Sequence, residues 1–347
     1  MPQLDHERNM ASEIPAPPSG RKGWPWTEVK TSLPSTREDG SQWPRITVVT
    51  PSYNQGIYLE ETIRSVICQG YPNIEHIIID GGSSDDTIEV IRKYEPWISY
   101  WVSEKDKGQA HAINKGFRKS TGAWVGWQNS DDTYAPGTFA AIAQAELLYP
   151  NVDVFYGKTW LTEPDNTGGD LASIHPIFRL KDMIPLPFVF NQSTFFNQRV
   201  FDQGVFLDPR KQHMMDYDFM WRLVLSGYKF QYVDNVIGCF RQQPMAKTAY
   251  QSDIGCREFL DIYTFLYHHP RFPLELRPRV LKGWRDQIIN DWAHRRYDQL
   301  IVDTDRMVDV IGWQSLNANS ILRYLSARFL REPSDKLRIK YSQFKHS

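Results

Sequence analysis

Cysteine is scarce in this chain. Cys68, Cys239 and Cys256 are the only three, and their spacing suits neither a thiolate metal site nor a disulfide framework, so all three are expected as small core residues in a reducing compartment. Long apolar runs are also missing. No stretch approaches the roughly 20 residues that cross a bilayer, and no signal-peptide pattern opens the chain, so a cytoplasmic protein is expected. Net charge is close to nil, −1 from 40 basic and 41 acidic residues, which leaves no broad basic footprint and argues against nucleic acid as a partner. No repeat of fixed period occurs. The glycine-rich turn "DGGSSDD" lacks the spacing that brings a helix N-terminus onto a dinucleotide, which counts against a Rossmann dehydrogenase.

The 347 residues that remain to be explained suit one large domain, or one domain with an appendage, and 41% hydrophobic content is ordinary for a globular protein. Residues 1–44 are rich in proline and polar residues ("EIPAPPSG", "SLPSTREDGSQWP") and read as an extended or disordered arm. Order begins at "RITVVTPSYN", a strand ending at Pro51. "YLEETIRSVICQ" then puts Tyr58, Leu59, Thr62, Ile63, Val66 and Ile67 on one helical face. Strand and helix alternate through "IEHIIIDGGSSDDT", "DTIEVIRKY", "ISYWVSE", "GQAHAINKGFRKS", "AWVGWQN", "GTFAAIAQAELLY" and "VDVFYG". Short connections between such elements imply parallel strands joined by right-handed crossovers, hence an α/β fold with a mostly parallel central sheet flanked by helices. That domain is assigned to residues 45–250, and residues 251–347 to a helical extension broken near "HHPRFPLELRP" and at Pro333.

Ligands of such sheets bind beyond the carboxyl ends of the strands. The polar clusters lie at those ends: "PSYN", "DGGSSDD", "SEKDKG" and "NSDD" after the first four strands. Asp131 and Asp132, in "WVGWQNSDDTYAPG", are adjacent like charges that are stable when solvated or when a cation lies between them. A divalent ion held by one or two carboxylates, with phosphate oxygens completing its shell, matches this pair, and no His/Cys cluster suggests zinc. Asp80, set before Gly81-Gly82, is placed to accept hydrogen bonds from a base or a ribose, whereas Asp85 before an apolar helix reads as a cap. Asp216 and Asp218 open the helix "DYDFMWRLVLSG", where a carboxylate is either a cap or, for Asp216, a general base facing substrate.

Together, "VVTPSYNQGIYLEETIRSV", "EHIIIDGGSSDDT", "SEKDKGQAHAINKGF", "GWQNSDDTYAPG", "QSTFF" and "MDYDFMWRL" strongly resemble the family 2 glycosyltransferases over residues 45–248. The resemblance implies a GT-A fold and an inverting, Mn²⁺- or Mg²⁺-dependent enzyme using a UDP-, GDP- or dTDP-linked sugar donor. It also implies that Pro51, Tyr53 and Asp80 line the nucleoside pocket, and that Lys107, Gln109, His111 and Asn114 lie where they contact donor sugar or diphosphate. Asp131 stands at the last position of the family's Asp-x-Asp motif with Asn129 at the first, Asp132 is the extra acid after it, and Asp216 matches the catalytic base. Arg241 is present where relatives carry a basic residue, but Gln242-Gln243 replace the His that often follows. The acceptor implied is a glycan or lipid-linked glycan. The alternative is a catalytically silent protein that binds nucleotide sugar or a partner, and a nucleotidyltransferase is disfavoured because the chain opens with "TPSYNQG" rather than a glycine-rich phosphate loop. From Ile321 onward seven Lys/Arg face two Asp/Glu, with Ile321, Leu322, Leu325 and Phe329 on one face. This tail is expected either to pack on the catalytic domain or to attach peripherally to an anionic inner membrane surface.

Overall fold

A computed structural model of the protein describes residues 14–172, 174–184, 189–243, 253–294 and 296–330. The chain divides into two compact units, Met1–Arg179 with Pro187–Ala249, and Leu180–Leu186 with Tyr250–Ser347. The first unit runs β1 (Ile46–Ser52), α1 (Gly56–Ile67), β2 (Ile74–Asp80), α2 (Thr87–Lys93), β3 (Tyr100–Ser103), α3 (Gln109–Lys119), β4 (Trp124–Trp127), β5 (Thr133–Tyr134), α4 (Thr138–Leu148), β6 (Val154–Thr162), β7 (Asp170–Leu171), β8 (Thr194–Asn197), α5 (Arg199–Asp202), α6 (Met215–Ser226) and β9 (Phe230–Arg241).

These strands form one sheet in the order β3-β2-β1-β4-β8-β6-β9-β5, with β7 on β6. The parallel half expected from strand–helix alternation is β3-β2-β1-β4. Beyond it β8 lies antiparallel to both β4 and β6, because the chain reaches β8 by an irregular excursion after β7 instead of a helical crossover. The sheet is therefore mixed, and the acids at the end of β4 sit where its strand direction changes.

β1 is buried at every position, as the run Ile-Thr-Val-Val requires of a strand covered on both faces. One cover is α3, which packs so closely that a Cβ on Gly116 would lie 2.2 Å from Val49 Cγ1. On α1 the expected apolar face is buried through Leu59, Ile63, Val66 and Ile67, but Glu61 and Arg64 are buried as well. Both charges find partners, Glu61 at the site below and Arg64 in the segment that precedes the sheet.

Residues 14–44 contain no helix or ladder strand and lie against the domain. The Arg64 guanidinium donates to the carbonyls of Pro15, Pro25 and Trp26 at 2.7–3.1 Å and to the Tyr94 hydroxyl. Trp24 Nε1 donates to the Tyr134 carbonyl, and Lys30 and Leu33 donate backbone N–H to Cys68 and Gly70. Gly70 has φ +64°, and a Cβ there would meet the Thr31 carbonyl at 2.7 Å. The arm is thus extended and strapped down; residues 1–13 lie outside the described residues.

The second unit comprises α7 (Asp253–His268), α8 (Arg277–Ala293), α9 (Tyr297–Ile311) and α10 (Ala318–Leu325). Tyr263, Val280, Trp284, Ile288, Leu300 and Met307 form its interior. The buried Asp291 is neutralised by Arg296 at 2.7 Å. The break between α7 and α8 falls in the predicted "HHPRFPLELRP". Among the described residues no helix is long and apolar enough to cross a membrane. In the tail Ile321 and Leu322 are half-buried and Leu325 is exposed, while the Phe329 side chain and Pro333 lie outside the described residues.

Two consequences are measurable. Arg64→Met keeps the aliphatic stem and strips the strap carbonyls of their donor, so it is expected to cost at least about 2 kcal/mol in urea unfolding. It should also expose residues 14–44 to limited proteolysis; unchanged stability and cleavage would contradict the strap. His76 on β2 is fully buried, and burial drives its imidazole down to about 3 from 6.5. The folded state then binds a proton there less readily than the unfolded chain. Stability from this residue is complete above about pH 6.5 and falls as pH drops toward 3, by up to about 1.4 kcal/mol per unit. His76→Gln should flatten the pH dependence of the unfolding free energy across that window, and an unaltered slope would contradict the assignment.

Candidate active site

β4 delivers the segment Gln128–Asp132 to the carboxyl edge of the sheet, and three elements grip it. From α1, the Thr62 hydroxyl lies 2.9 and 2.7 Å from the carbonyls of Ser130 and Asp132. From the end of β9, Arg241 Nε donates to the Asp131 carbonyl at 2.7 Å and its backbone N–H to Asp132 Oδ1 at 2.9 Å. The same guanidinium donates to the Pro164 carbonyl and pairs with Glu61 at 2.8 Å, both side chains being almost wholly buried. Asn166, in the turn between β6 and β7, donates to the other Glu61 oxygen at 2.8 Å. The loop is therefore braced from α1, β9 and the β6–β7 turn together.

Within this brace the adjacent acids face different environments. Asp132 is 1% exposed and accepts from the Arg241 N–H, from Gln192 Nε2 at 2.7 Å and from Asn129 Nδ2 at 3.1 Å. Burial first, and the Asp131 charge second, push its carboxyl well above the usual carboxylate range. Asp131 is only half-buried, and its Oδ2 accepts from Gln243 Nε2 at 2.5 Å. Repulsion between the two is thus relieved by turning one inward, where the neutral form is favoured, and leaving the other at the surface. Asn129 shows why an amide suits the position ahead of them: its Oδ1 accepts from Gln109 and Trp127 while its Nδ2 donates to Asp132. A carboxylate at 129 would set a further negative charge against Asp132.

The strand ends of β1 and β2 are joined beside this loop. Asn54, at φ +51°, donates its N–H to Ser83 Oγ and accepts from the Ser84 N–H. Tyr53 is 62% exposed, whereas Pro51 is buried within β1. Asp85, expected as a cap, accepts from the N–H groups of Thr87 at the start of α2 and of Gly56 at the start of α1, while the residue flanking α2 is Asp86, whose side chain makes no capping bond. Asp80, expected to contact a base or a ribose, lies inside the glycine turn. Its side chain has no exposed surface, and its oxygens accept from the Gly82 and Ser83 N–H groups and from the Ser83 and Ser103 hydroxyls. Asp80 builds the glycine turn and presents no oxygen outward.

The loop before α3 is exposed at Lys107. Gln109, in the first turn of α3, reaches Asn129 at 3.0 Å and so ties this helix to the aspartate loop. His111 bonds Asp106, which Lys115 also neutralises. Asn114, expected to contact the donor, is 3% exposed and clamps both the N–H and the carbonyl of Leu207. Asp216 and Asp218 are separated by their partners. Asp218 pairs with Arg222 one turn on; Asp216 is half-buried in the first turn of α6, its Oδ1 accepting from the Tyr217 N–H.

Among the described residues no group of three or more His, Cys, Asp or Glu side chains converges. A divalent ion would therefore draw on one half-exposed carboxylate plus oxygens of its ligand, a donor set that suits Mg²⁺ or Mn²⁺. The residues overlooked in the sequence are Glu61, Thr62 and Gln192. The available signal was that Glu61 and Arg64 directly flank the apolar face of α1 formed by Leu59, Thr62 and Ile63.

Arg241→Met should leave Glu61 buried without its cation and is expected to cost about 3–5 kcal/mol, while pairing it with Glu61→Met should recover part of that loss. Urea unfolding of the two single variants and the double variant checks this; a single-variant cost below about 1 kcal/mol would show that the pair braces nothing.

The profile of Glycosyl transferase family 2 matches residues 47–223. Among curated relatives, the putative teichuronic acid biosynthesis glycosyltransferase TuaG of Bacillus subtilis is 37% identical over 94 residues, covering 26% of this chain and 37% of that protein. The chain spans only 37–40% of the length of the first curated relatives it matches. Its fold is similar to that of S. aureus TarS 1–349 in complex with UDP-GlcNAc (TM-score 0.54, 14% identity, 84% of this chain and 92% of that one). It is also similar to the mannosyltransferase PcManGT of Pyrobaculum calidifontis in complex with GDP-Man and Mn²⁺ (TM-score 0.52, 18% identity, 91% and 86%). At such identities the likeness is one of fold, the GT-A arrangement. The matched span runs from β1 into α6 and takes in the strand-end loops and both acidic segments just described, so the chain belongs to glycosyl transferase family 2.

Proposed function

We propose that the protein transfers a sugar from a nucleotide-sugar donor to an acceptor hydroxyl with inversion at the anomeric carbon. The observation that carries this reading is the asymmetry of the aspartate loop: Asp132 buried and hydrogen-bonded, Asp131 half-exposed at the carboxyl edge of the sheet. Fold relatives crystallised with UDP-GlcNAc and with GDP-Man and Mn²⁺ support a UDP- or GDP-linked donor and a divalent ion. TuaG's assignment to teichuronic acid synthesis supports a glycan or lipid-linked glycan acceptor. Such an acceptor would be met at the inner membrane face, where the basic tail from Ile321 onward provides peripheral attraction.

In this reading Asp131 holds the ion and Asp132 anchors the loop from below. When bound, Mn²⁺ or Mg²⁺ supplies positive charge that offsets the negative charge developing on the leaving nucleoside diphosphate. Exposed Tyr53 offers its ring to the base, Pro51 fixes the strand end beneath it, and Asp80 shapes the turn alongside. Lys107 meets diphosphate charge from the loop before α3. Asp216 takes the proton from the acceptor hydroxyl as its oxygen bonds the anomeric carbon and the bond to diphosphate breaks. A positioned base of this kind contributes roughly 10²–10⁴-fold.

Asp216→Asn is expected to lower transfer by about 10² or more while donor affinity, read by calorimetry, stays within a factor of a few. Asp131→Ala and EDTA should each weaken donor binding. Equal loss of binding and turnover in Asp216→Asn would return that residue to a structural role. Donor binding indifferent to EDTA would remove the ion from the account.

A further inference from the structure

Gln243 lies two residues beyond Arg241, outside the span that defines the family, in a turn where its N–H donates to the Arg241 carbonyl. Its neighbour Gln242 is exposed, but Gln243 is 5% exposed and directs its amide N–H to Asp131 Oδ2 at 2.5 Å. Burying a rotamer-rich side chain costs up to about 2 kcal/mol of conformational entropy, so a buried glutamine at the end of a strand has to be held by what it bonds. Here that is the half-exposed carboxylate of the aspartate loop.

The type of donor matters. A lysine or arginine in this place would neutralise Asp131 and diminish its attraction for a cation. An apolar residue would leave the carboxylate free to rotate, and an acid would repel it. An amide fixes the rotation through one oxygen and leaves the full negative charge. The fixing reaches further, because β9 holds the same loop through Arg241 at the Asp131 carbonyl and the Asp132 carboxyl. Main chain and side chain of Asp131 are therefore held by the last residue of β9 and by the turn that follows it.

We infer that Gln243 is the positioning residue for Asp131, aiming its carboxylate at a divalent cation without discharging it. This rests on the proposed role of Asp131 as the ion-holding residue. Partners that orient a metal ligand from outside the coordination shell typically contribute about 10- to 100-fold to affinity.

The test titrates Mn²⁺ into the full chain, with and without UDP or GDP, following the free-ion signal by electron paramagnetic resonance, and records melting temperatures in parallel. Gln243→Met keeps the volume and removes the donor; Gln243→Lys keeps a donor and adds charge. Gln243→Met is expected to weaken Mn²⁺ binding about 10-fold or more with the metal-free melting temperature nearly unchanged. Gln243→Lys should weaken it further, although its hydrogen bond survives. Unaltered Mn²⁺ affinity in Gln243→Met would overturn the inference, as would Mn²⁺ binding in Gln243→Lys equal to that of the unaltered protein. Should Gln243→Met fall in melting temperature, Mn²⁺ affinity measured well below both melting temperatures decides, and an affinity equal to that of the unaltered protein there overturns the inference. Failure of the unaltered protein to bind Mn²⁺ in any of these conditions would instead remove the ion-holding role of Asp131, and this inference with it.

Discussion

The guanidinium of Arg241 and the carboxylate of Glu61 meet at 2.8 Å with almost no solvent on either side, and the geometry of the acidic loop follows from how that pair is satisfied. Taking two charges out of water costs several kcal/mol per ion unless their remaining donors and acceptors are filled. Arg241 fills its donors with the carbonyls of Asp131 and Pro164, and Glu61 fills its second oxygen with the Asn166 amide. Each of those contacts fixes a backbone segment at the carboxyl edge of the sheet. A pair that is weak support for stability in general is here the means by which α1, β9 and the β6–β7 turn hold one loop in register.

What the brace achieves is a difference between neighbours. Asp131 and Asp132 are adjacent in sequence yet one is enclosed by donors from Asn129, Gln192 and Arg241 while the other stays half-exposed. Neutral amides surround the pair: Gln109, Asn129, Gln192 and Gln243 form direct or relayed hydrogen bonds to it. Amides orient carboxylates without cancelling charge, so the loop can be rigid and still negative where it meets solvent. That combination is what a diphosphate-bound cation needs and what a cluster of compensating lysines would forfeit.

Much of this was legible in the sequence, and the remainder was hidden for physical reasons. The parallel strands β1 to β4 were readable from their apolar runs, and the edge that carries the candidate site from polar clusters that recur at the same end of each strand. The glycine that ends "DYDFMWRLVLSG" also suits a helix terminus, and Gly227 closes α6 at φ +91°. Local pattern misled where a polar residue's partner lay far along the chain. Glu61 and Arg64 look like the solvent side of α1 but are buried, since their partners come from about 180 residues later and about 40 to 50 earlier. Asn114 spends its hydrogen bonds on Leu207, 93 residues on, whereas Asp80 bonds its own glycine turn and the Ser103 hydroxyl of β3. The proline-rich arm has no periodicity to read, and its order comes from one arginine that collects its carbonyls.

Asp131 and Asp132 differ in their place at the carboxyl edge of the sheet, one half-exposed and one anchored by buried hydrogen bonds. The most direct measurement is a crystal structure of the full chain grown with Mn²⁺ and a nucleoside diphosphate, with the ion located by anomalous scattering. A manganese peak is expected within coordinating distance of the Asp131 carboxylate, shared with diphosphate oxygens, while Asp132 keeps its bonds to Gln192 and Arg241. A peak on Asp132 with Asp131 turned away, or diphosphate bound at this edge without manganese, would contradict the proposed role of Asp131.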